Sequence, residues 1–173
     1  MSAAIKCVVM GVCGSGKTSV GKALAQHFAA TFIDGDDLHP RANILKMASG
    51  HPLNDEDRAP WLERIGDVFF SLQRRSLSGV IVCSALKKSY RDIIRKDNEG
   101  LVFVHLVGSM DTILERMAAR QGHYMKKDMV QSQFDTLEVP GPEETDVVSV
   151  SIEQPLDKVI AEAIAAVEKK LQA

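Results

Sequence analysis

The sequence predicts an α/β fold in which a five-stranded parallel sheet is covered by helices on both faces. Short apolar segments alternate along the chain with longer segments whose apolar residues recur at helical spacing. The short segments are nearly continuous apolar runs, which is typical of parallel strands buried on both faces. At 173 residues, without internal repeats or an interdomain linker, the chain is expected to form one domain over 1–173.

Each strand is predicted from an apolar run and each helix from a stripe of apolar residues. The strands are expected at 5–10, 31–33, 79–83, 101–107 and 147–150. Helices are expected after the first strand, at 40–49, 88–97, 111–120 and 128–137, and in two longer segments that begin at Pro60 and Pro155. Proline at the first helical position costs no hydrogen bond, so both prolines predict a helix start.

The segment between the first strand and the first helix carries a phosphate-binding motif. Residues 11–18 read GVCGSGKT, which is a glycine, four residues and then Gly-Lys-Thr. The three glycines let the backbone approach a ligand closely, and successive N–H groups at a helix N-terminus bind phosphate. Lys17 adds a charge for the outer phosphates, and Thr18 offers a hydroxyl to Mg²⁺. The sequence thus predicts a P-loop that binds a nucleoside triphosphate through Gly11, Val12, Cys13, Gly14, Ser15, Gly16, Lys17 and Thr18.

An acidic pair follows the second strand. In an extended segment Asp34 and Asp36 face the same way, and strand ends of this kind collect at the active edge of a parallel sheet. Asp34 is predicted to hold Mg²⁺ through water, and Asp36 to orient the acceptor hydroxyl and take its proton. The alternative is a solvated acidic turn that caps the next helix. No acid ends the third strand and no Asn-Lys-x-Asp motif occurs, which disfavours GTPases and motor ATPases and favours small kinases.

Cationic side chains gather where an acceptor is expected. An acceptor-binding segment is predicted at about 36–62, and a second group of cations follows the third strand. Such residues suit a small, anionic, hydroxyl-rich substrate, because arginine binds a carboxylate through two hydrogen bonds. About half of the cations in these segments are expected to be solvated surface charges. The candidates for substrate contact, besides Asp36, are His39, Lys46, Arg58, Lys87 and Arg91.

A basic stretch between two predicted helices suggests a lid at about 118–138. Closure of a lid over the phosphates would keep water away from the transferring group. Arg116 and Arg120 are predicted to contact the nucleotide, and Arg120, with Lys17, to offset charge in the transition state. The alternative is an exposed helix hairpin. Gln154 and Pro155, after the fifth strand, are predicted to border the adenine.

Composition excludes several classes of function. The net charge of −2 implies no general affinity for nucleic acid, and no apolar run approaches the roughly 20 residues that span a bilayer. The segment before the first strand is too short for a signal peptide, so a cytoplasmic location and no membrane partner are expected. Cys7, Cys13 and Cys83 form no Cys-x-x-Cys pair, which argues against a disulfide framework or a zinc site.

Taken together, these segments resemble those of the gluconate kinases, small P-loop kinases of sugar acids. The matching stretches cover nearly the whole chain and lie at 10–17, 34–40, 43–50, 52–62, 83–91, 120–123 and 133–140. The P-loop is shared by very many proteins, whereas DGDDLHP at 34–40 and CSALKKSYR at 83–91 are far more specific. Cys13 stands where serine is common, which leaves phosphate binding intact because the loop uses backbone N–H groups.

The resemblance implies a reaction, a cofactor and an assembly. It implies ATP-dependent transfer of the γ-phosphoryl group to the 6-hydroxyl of D-gluconate, giving 6-phospho-D-gluconate and ADP. It also implies Mg²⁺, a nucleoside-monophosphate-kinase-like fold with a helical lid, and a homodimer. Two rival readings stay open from the residues alone. One is a small kinase acting on shikimate or a nucleoside monophosphate, and the other is a nucleotide-sensing module without turnover.

Overall fold

The computed structural model describes residues 4–119 and 127–172. This part of the chain contains five strands: β1 Lys6–Met10, β2 Thr31–Asp34, β3 Gly79–Val82, β4 Leu101–Val107 and β5 Val147–Ser151. It also contains seven α-helices: α1 Lys17–His27, α2 Arg41–Ala48, α3 Asp55–Arg74, α4 Lys88–Arg95, α5 Met110–Ala118, α6 Lys127–Thr136 and α7 Leu156–Leu171. A short 3-10 turn, Gly35–Leu38, follows β2.

All five strands pair in parallel, in the order β2-β3-β1-β4-β5. The predicted α/β fold with a parallel sheet is therefore confirmed. The order places β3 between β1 and β2, so the loop after β1 and the acidic segment after β2 lie at the same edge of the sheet, on either side of the segment that follows β3. Ligands bind at this carboxyl edge in open parallel sheets.

Helices cover both faces of the sheet, because alternate strand residues point to opposite sides. In β1, Cys7 and Val9 pack in a core that includes residues of α1, α5 and α7. Val8 and Met10 pack on the other face, with residues of α3 and α4. Both layers are apolar and buried, as the near-continuous apolar strands predict. No helix in the described ranges is long and apolar enough to cross a membrane.

Helix α3 begins five residues earlier than predicted, so the prediction of a start at Pro60 is wrong. Asn54 caps the helix: its side chain accepts from the Asp57 N–H (2.8 Å), and the Asp57 carboxylate accepts from the Asn54 N–H (2.9 Å). This capping box satisfies two N–H groups that a helix start otherwise leaves free. Pro60 lies inside the helix. Pro155, by contrast, directly precedes α7, which begins at Leu156.

Candidate active site

The phosphate loop is shaped by its own backbone and by the helices beneath it. Gly16 directly precedes α1 with a φ of +94°, a left-handed conformation that favours glycine. Gly14 has a φ of +78°, and a Cβ there would lie 2.9 Å from the Met117 sulfur. The loop therefore combines left-handed backbone with close packing on α5. Its amides precede the positive end of α1, which is where a phosphate binds.

Lys17 lies folded over the loop. Its Nζ donates to the carbonyl oxygens of Gly11 and Val12, each at 3.0 Å. Burial of the ammonium lowers the pKa of Lys17, whereas the surrounding groups, including Asp36 and Asp34, act in the opposite direction. Two acids and the P-loop cation therefore lie within electrostatic reach of each other, as the sequence predicts for a phosphoryl-transfer site.

The acidic pair lies on a turn, and the expectation of an extended segment is wrong. Asp34 ends β2, and its carboxylate accepts a hydrogen bond from the Asp36 N–H at 3.0 Å. This bond caps the 3-10 turn, because aspartate readily accepts from the backbone N–H two residues further on. Gly35 makes the turn possible, since a Cβ there would lie 2.4 Å from the Val82 carbonyl oxygen. The turn still holds both carboxylates at the active edge.

Asp36 has the electrostatics of a proton acceptor. The residue is exposed, yet the protein around it raises the pKa of the carboxyl by desolvation, and the neighbouring charge of Asp34 raises it further. His39 and Lys17 act in the opposite direction. A carboxylate with a raised pKa is a stronger base, which suits transfer of a proton from a hydroxyl.

His39 is held in one orientation beside Asp36. It is buried and stacks on Trp61, with ring centroids 4.1 Å apart and planes at 17°. The Asn43 side-chain NH₂ lies 3.1 Å from His39 Nδ1. An amide NH₂ only donates, so Nδ1 accepts and the ring proton belongs on Nε2. Burial lowers the pKa of His39, which favours this neutral imidazole. Trp61 in turn donates to the Gly35 carbonyl (2.7 Å) and ties the acidic turn to α3.

Arg58 and Lys87 converge around Tyr90 from segments that are far apart in sequence. Arg58 donates to the Tyr90 hydroxyl at 3.2 Å, and Lys87 lies over the Tyr90 ring, 5.5 Å from its centroid. The Asp55 carboxylate lies between the two cations, 3.1 Å from Lys87 and 3.9 Å from Arg58. It also accepts from the Tyr90 hydroxyl. We refer to Asp55, Arg58, Lys87 and Tyr90 as the cation cluster.

Lys46 is near this cluster in sequence but pairs elsewhere. Its Nζ lies 2.6 Å from the Asp57 carboxylate, the same carboxylate that caps α3. Lys46 and Asp57 are both partly exposed, so a ligand can take the place of Asp57 as the partner of Lys46. Helix α2, which carries Lys46, is joined to α3 by this pair and by the bond from the Asn43 side chain to the Asp57 carbonyl (2.9 Å).

Arg91 does not face the site, and its predicted contact with substrate is corrected by the structure. Its side chain is 0% exposed and pairs with Glu144 at 2.8 Å. It also donates to the carbonyl oxygens of Ala85 and Glu138, each at 2.9 Å. Each of the three guanidinium nitrogens therefore has a protein partner. Arg91 ties the segment after β3 to residues 138–144 and supports the loop that carries Lys87.

The nucleotide-side predictions fall partly within the described residues. Arg116 donates to the carbonyl oxygens of Ile152 and, at 3.1 Å, Gln154, so α5 is joined to the loop before α7. These bonds bring Arg116 next to Gln154 and Pro155, which are the described residues outside the P-loop that the sequence places beside the nucleotide. Arg120 and the central part of the predicted lid, 120–126, lie outside the described residues.

Known proteins identify the family. The family model described as shikimate kinase matches residues 13–168. The thermoresistant gluconokinase of Escherichia coli K12 is 52% identical over 162 residues, which cover 94% of this chain and 93% of that protein. The gluconokinase of Gluconobacter oxydans is 45% identical over 91% of this chain and 88% of its own length. This chain belongs to the gluconokinase family. It is therefore a kinase with a P-loop domain.

The fold agrees with that assignment. A crystal structure of a gluconokinase from Sinorhizobium meliloti 1021 superposes on this gluconokinase-family chain with a TM-score of 0.85 at 44% identity. The match covers 99% of this chain and 96% of that one. The resemblance stated from the sequence is confirmed at the level of both sequence and structure.

The residues of this gluconokinase-family site fit a Mg²⁺ ion that arrives with the nucleotide. Thr18, in the first turn of α1, offers a hydroxyl, and Asp34, at the end of β2, offers a carboxylate. Among residues 4–119 and 127–172 no group of three or more His, Cys, Asp or Glu side chains could hold a metal. Mg²⁺ in kinases is bound by one or two carboxylates together with substrate phosphates, so this sparse donor set suits it.

Several residues of the site were not predicted from the sequence of this gluconokinase-family protein. Trp61 is one of them, and its indole N–H ties down the acidic turn. Asn43, Asp55, Tyr90 and Gln133 were not singled out. The spacing of Tyr90 from Lys87, three residues across the start of α4, is the one local signal that could have found it. The others act through contacts between distant segments.

Proposed function

We propose that this protein transfers the γ-phosphoryl group of ATP to the 6-hydroxyl of D-gluconate, giving 6-phospho-D-gluconate and ADP. The observation that carries the proposal is the meeting of three groups at one edge of the sheet. These are the P-loop with Lys17, the acidic turn with Asp36, and the cation cluster beside His39. The names of the relatives support gluconate as the acceptor.

Phosphate binding and charge stabilisation are assigned to the P-loop. Its amides hold the nucleotide phosphates, and Lys17 leaves the carbonyls of Gly11 and Val12 to meet the transferring group. Thr18 directly and Asp34 through water would hold Mg²⁺, which would supply charge neutralisation at the phosphates. Arg120 is proposed to add a second cation, Arg116 to contact the nucleotide, and Gln154 and Pro155 to border the adenine. Phosphoryl transfer has a loose transition state, so positioning and charge matter more than a strong base.

Acceptor binding is assigned to side chains from three segments. Asp36 accepts a hydrogen bond from the attacking hydroxyl and takes its proton as the new P–O bond forms. His39 donates from Nε2 to a second hydroxyl, since its Nδ1 already accepts from Asn43. Arg58 and Lys87 bind the carboxylate, and Lys46 contacts a hydroxyl after release from Asp57. Asp36 and His39 thus lie toward the phosphates, and the cations lie at the far end of the acceptor.

The remaining properties in the proposal concern the whole molecule. We propose that residues 36–62 form the acceptor-binding segment, that about 118–138 close over the phosphates, and that the enzyme acts in the cytoplasm as a homodimer. Size-exclusion chromatography with light scattering tests the last of these, because a monomer mass at all concentrations would overturn it.

The test of the function is ADP release from MgATP by the purified protein with single acceptors. D-Gluconate, shikimate, AMP, other sugar acids and no acceptor form the series, and the phosphorylated product is identified by mass and NMR spectroscopy. We expect turnover with D-gluconate and a product phosphorylated at carbon 6. Turnover with another acceptor would keep the kinase mechanism and replace the substrate. ATP binding without acceptor-dependent turnover would instead favour a nucleotide-sensing module.

Shikimate is included because the matching family model is described as shikimate kinase. Shikimate also carries a carboxylate and hydroxyls, so the cation cluster alone does not distinguish it from gluconate. The gluconokinase relatives at 45% and 52% identity favour gluconate. A higher kcat/KM for shikimate than for gluconate would reverse this order.

A further inference from the structure

Helix α6 reaches the phosphate loop through one side chain. The Oε1 of Gln133 accepts a hydrogen bond from the Cys13 N–H at 2.7 Å, although the residues are 120 positions apart. Within the described ranges, no other side chain accepts from a backbone N–H of residues 11–18. The contact is partly buried, which strengthens a hydrogen bond and makes its loss costly.

The bond acts on a peptide unit that also holds Lys17. The Cys13 N–H and the Val12 carbonyl belong to the same planar trans peptide, so they point in opposite directions. The Val12 oxygen accepts from Lys17 Nζ (3.0 Å) and from the Ser15 N–H (3.3 Å). Because the unit is rigid, a hydrogen bond to its N–H fixes the direction of its oxygen.

Helix α6, the second half of the proposed lid segment, is packed against the core of the domain in this structure. Val130 is fully buried, and Phe134 and Leu137 pack against the same core cluster as the phosphate-loop residue Val12. Directly after the helix, the Glu138 N–H donates to the Leu86 carbonyl at 2.7 Å. The Glu138 carboxylate also accepts from the Lys88 N–H at 3.0 Å. The helix is therefore joined to both the nucleotide loop and the segment that carries the acceptor cations.

We infer that Gln133 is a positioning residue for phosphoryl transfer, which holds the Val12–Cys13 peptide in the orientation that preforms the phosphate loop for MgATP. This role rests on the proposed kinase reaction. Gln133 has no direct contact with substrate in the proposed reaction, and it acts by opposing rotation of this rigid peptide unit about the two bonds that flank it. A preformed loop spends less free energy on reorganisation when the phosphates bind.

The kinetic test replaces Gln133 with methionine, which keeps the length of the side chain and removes the acceptor. The matched control is Gln131→Met on the same helix, since Gln131 is exposed and its side chain donates to Asp135 at 2.8 Å and not to the phosphate loop. We expect Gln133→Met to lower kcat/KM for MgATP about 10-fold, which is the cost of one unmet, partly buried N–H. The KM for gluconate is expected to stay within about 2-fold of the wild-type value, and Gln131→Met to behave as wild type. If the KM for gluconate rose by the same factor as kcat/KM for MgATP fell, Gln133 would have a merely structural role. That result would overturn the inference.

A second readout requires no acceptor. Cys7 and Cys83 are buried and burial raises the pKa of each thiol to about 12, so an aromatic disulfide reagent reports on the half-buried Cys13. We expect Cys13 to be labelled several-fold faster in Gln133→Met than in Gln131→Met, because the loop is released. Unchanged labelling would overturn the inference. Faster labelling with no turnover on gluconate in any variant would instead remove the proposed function and leave the role of Gln133 in the loop standing.

Discussion

The phosphate loop and the acceptor side of the site are built in opposite ways. The loop is contiguous in sequence, and the groups that bind phosphate are backbone N–H groups held in place by glycines with positive φ. The acceptor side consists of side chains from the 3-10 turn, α2, α3 and the segment after β3, and nearly every one is already engaged by another protein group. Phosphate binding by the loop depends on the backbone conformation. Acceptor binding requires side chains to exchange their protein partners for groups of the ligand.

The difference has a consequence for recognition. The loop can bind any phosphate chain, because its N–H groups contact the phosphates and not the rest of the ligand. The acceptor side selects its ligand through the arrangement of Asp36, His39 and the cation cluster. A wrong ligand binds more weakly because it leaves some of these hydrogen-bonding groups without a partner. Substitutions on the two sides should therefore separate turnover from acceptor affinity.

The largest effect is expected for Asp36→Asn. Loss of the proton acceptor should lower kcat by about 10³-fold, while the affinity for MgATP stays almost unchanged. Turnover and calorimetric binding of MgATP measure the two quantities. Asp37→Asn is the matched control, because Asp37 is exposed on the same turn. An equal collapse of MgATP affinity would assign Asp36 to the metal or to the structure of the turn instead.

The phosphate loop itself is tested by Lys17→Ala. Removal of the charge that stabilises the transferring group should lower kcat by about 10²-fold or more. The KM for gluconate should change little, because Lys17 bonds to the loop and not to the acceptor side. Lys22→Ala, an exposed lysine on the same helix, serves as control. Near-wild-type turnover would remove Lys17 from the mechanism.

The scaffold beneath the acceptor side is tested by Glu144→Gln. The Arg91 guanidinium holds the pKa of Glu144 at about 2, well below its usual 4.5. A lowered carboxyl pKa contributes stability above pH 4.5 that is lost as pH falls toward 2. The variant should lose roughly 2 kcal/mol of unfolding free energy at neutral pH.

Denaturant unfolding from pH 7 to pH 2 measures this contribution. The stability of the variant should depend less on pH between 4.5 and 2 than that of the wild type. Burial lowers the pKa of His105 from 6.5 to about 4. Both proteins therefore lose stability through this group as the pH falls from 6.5 to 4. At neutral pH the folded variant should keep the wild-type KM for gluconate. A KM raised as much as in Arg58→Ala would return Arg91 to the substrate site.

The smallest effect is expected for Asp55→Asn. Its carboxylate lies between Arg58 and Lys87, where the proposal places the carboxylate of the substrate. Removing this competing charge should lower the KM for gluconate about 3-fold, in keeping with the modest strength of exposed ion pairs. Glu56→Gln is the neighbouring control. A higher KM would show that Asp55 positions the two cations for the substrate.

Local patterns explain why much of the fold and the loop was predictable. All five strands lie within a residue or two of their predicted bounds, because a buried parallel strand is visible as an apolar run. The P-loop motif is contiguous, so the residues that bind phosphate can be recognised from one short stretch of sequence. Pro60 was misleading because the stronger capping box of Asn54 and Asp57 starts the helix earlier. Asp36 was wrongly expected on an extended segment, because the Asp34 side chain caps a 3-10 turn there.

By itself, the sequence determined the alternation of strands and helices, the phosphate loop and the identity of the acids that follow β2. Only the tertiary structure decided that Arg91 is buried against Glu144 while Lys87, four residues earlier, faces the site. It also decided the strand order and the contact of Gln133 with Cys13. Periodicity and contiguous motifs report local conformation, whereas the partners of a charged or amide side chain depend on which distant segments pack beside it.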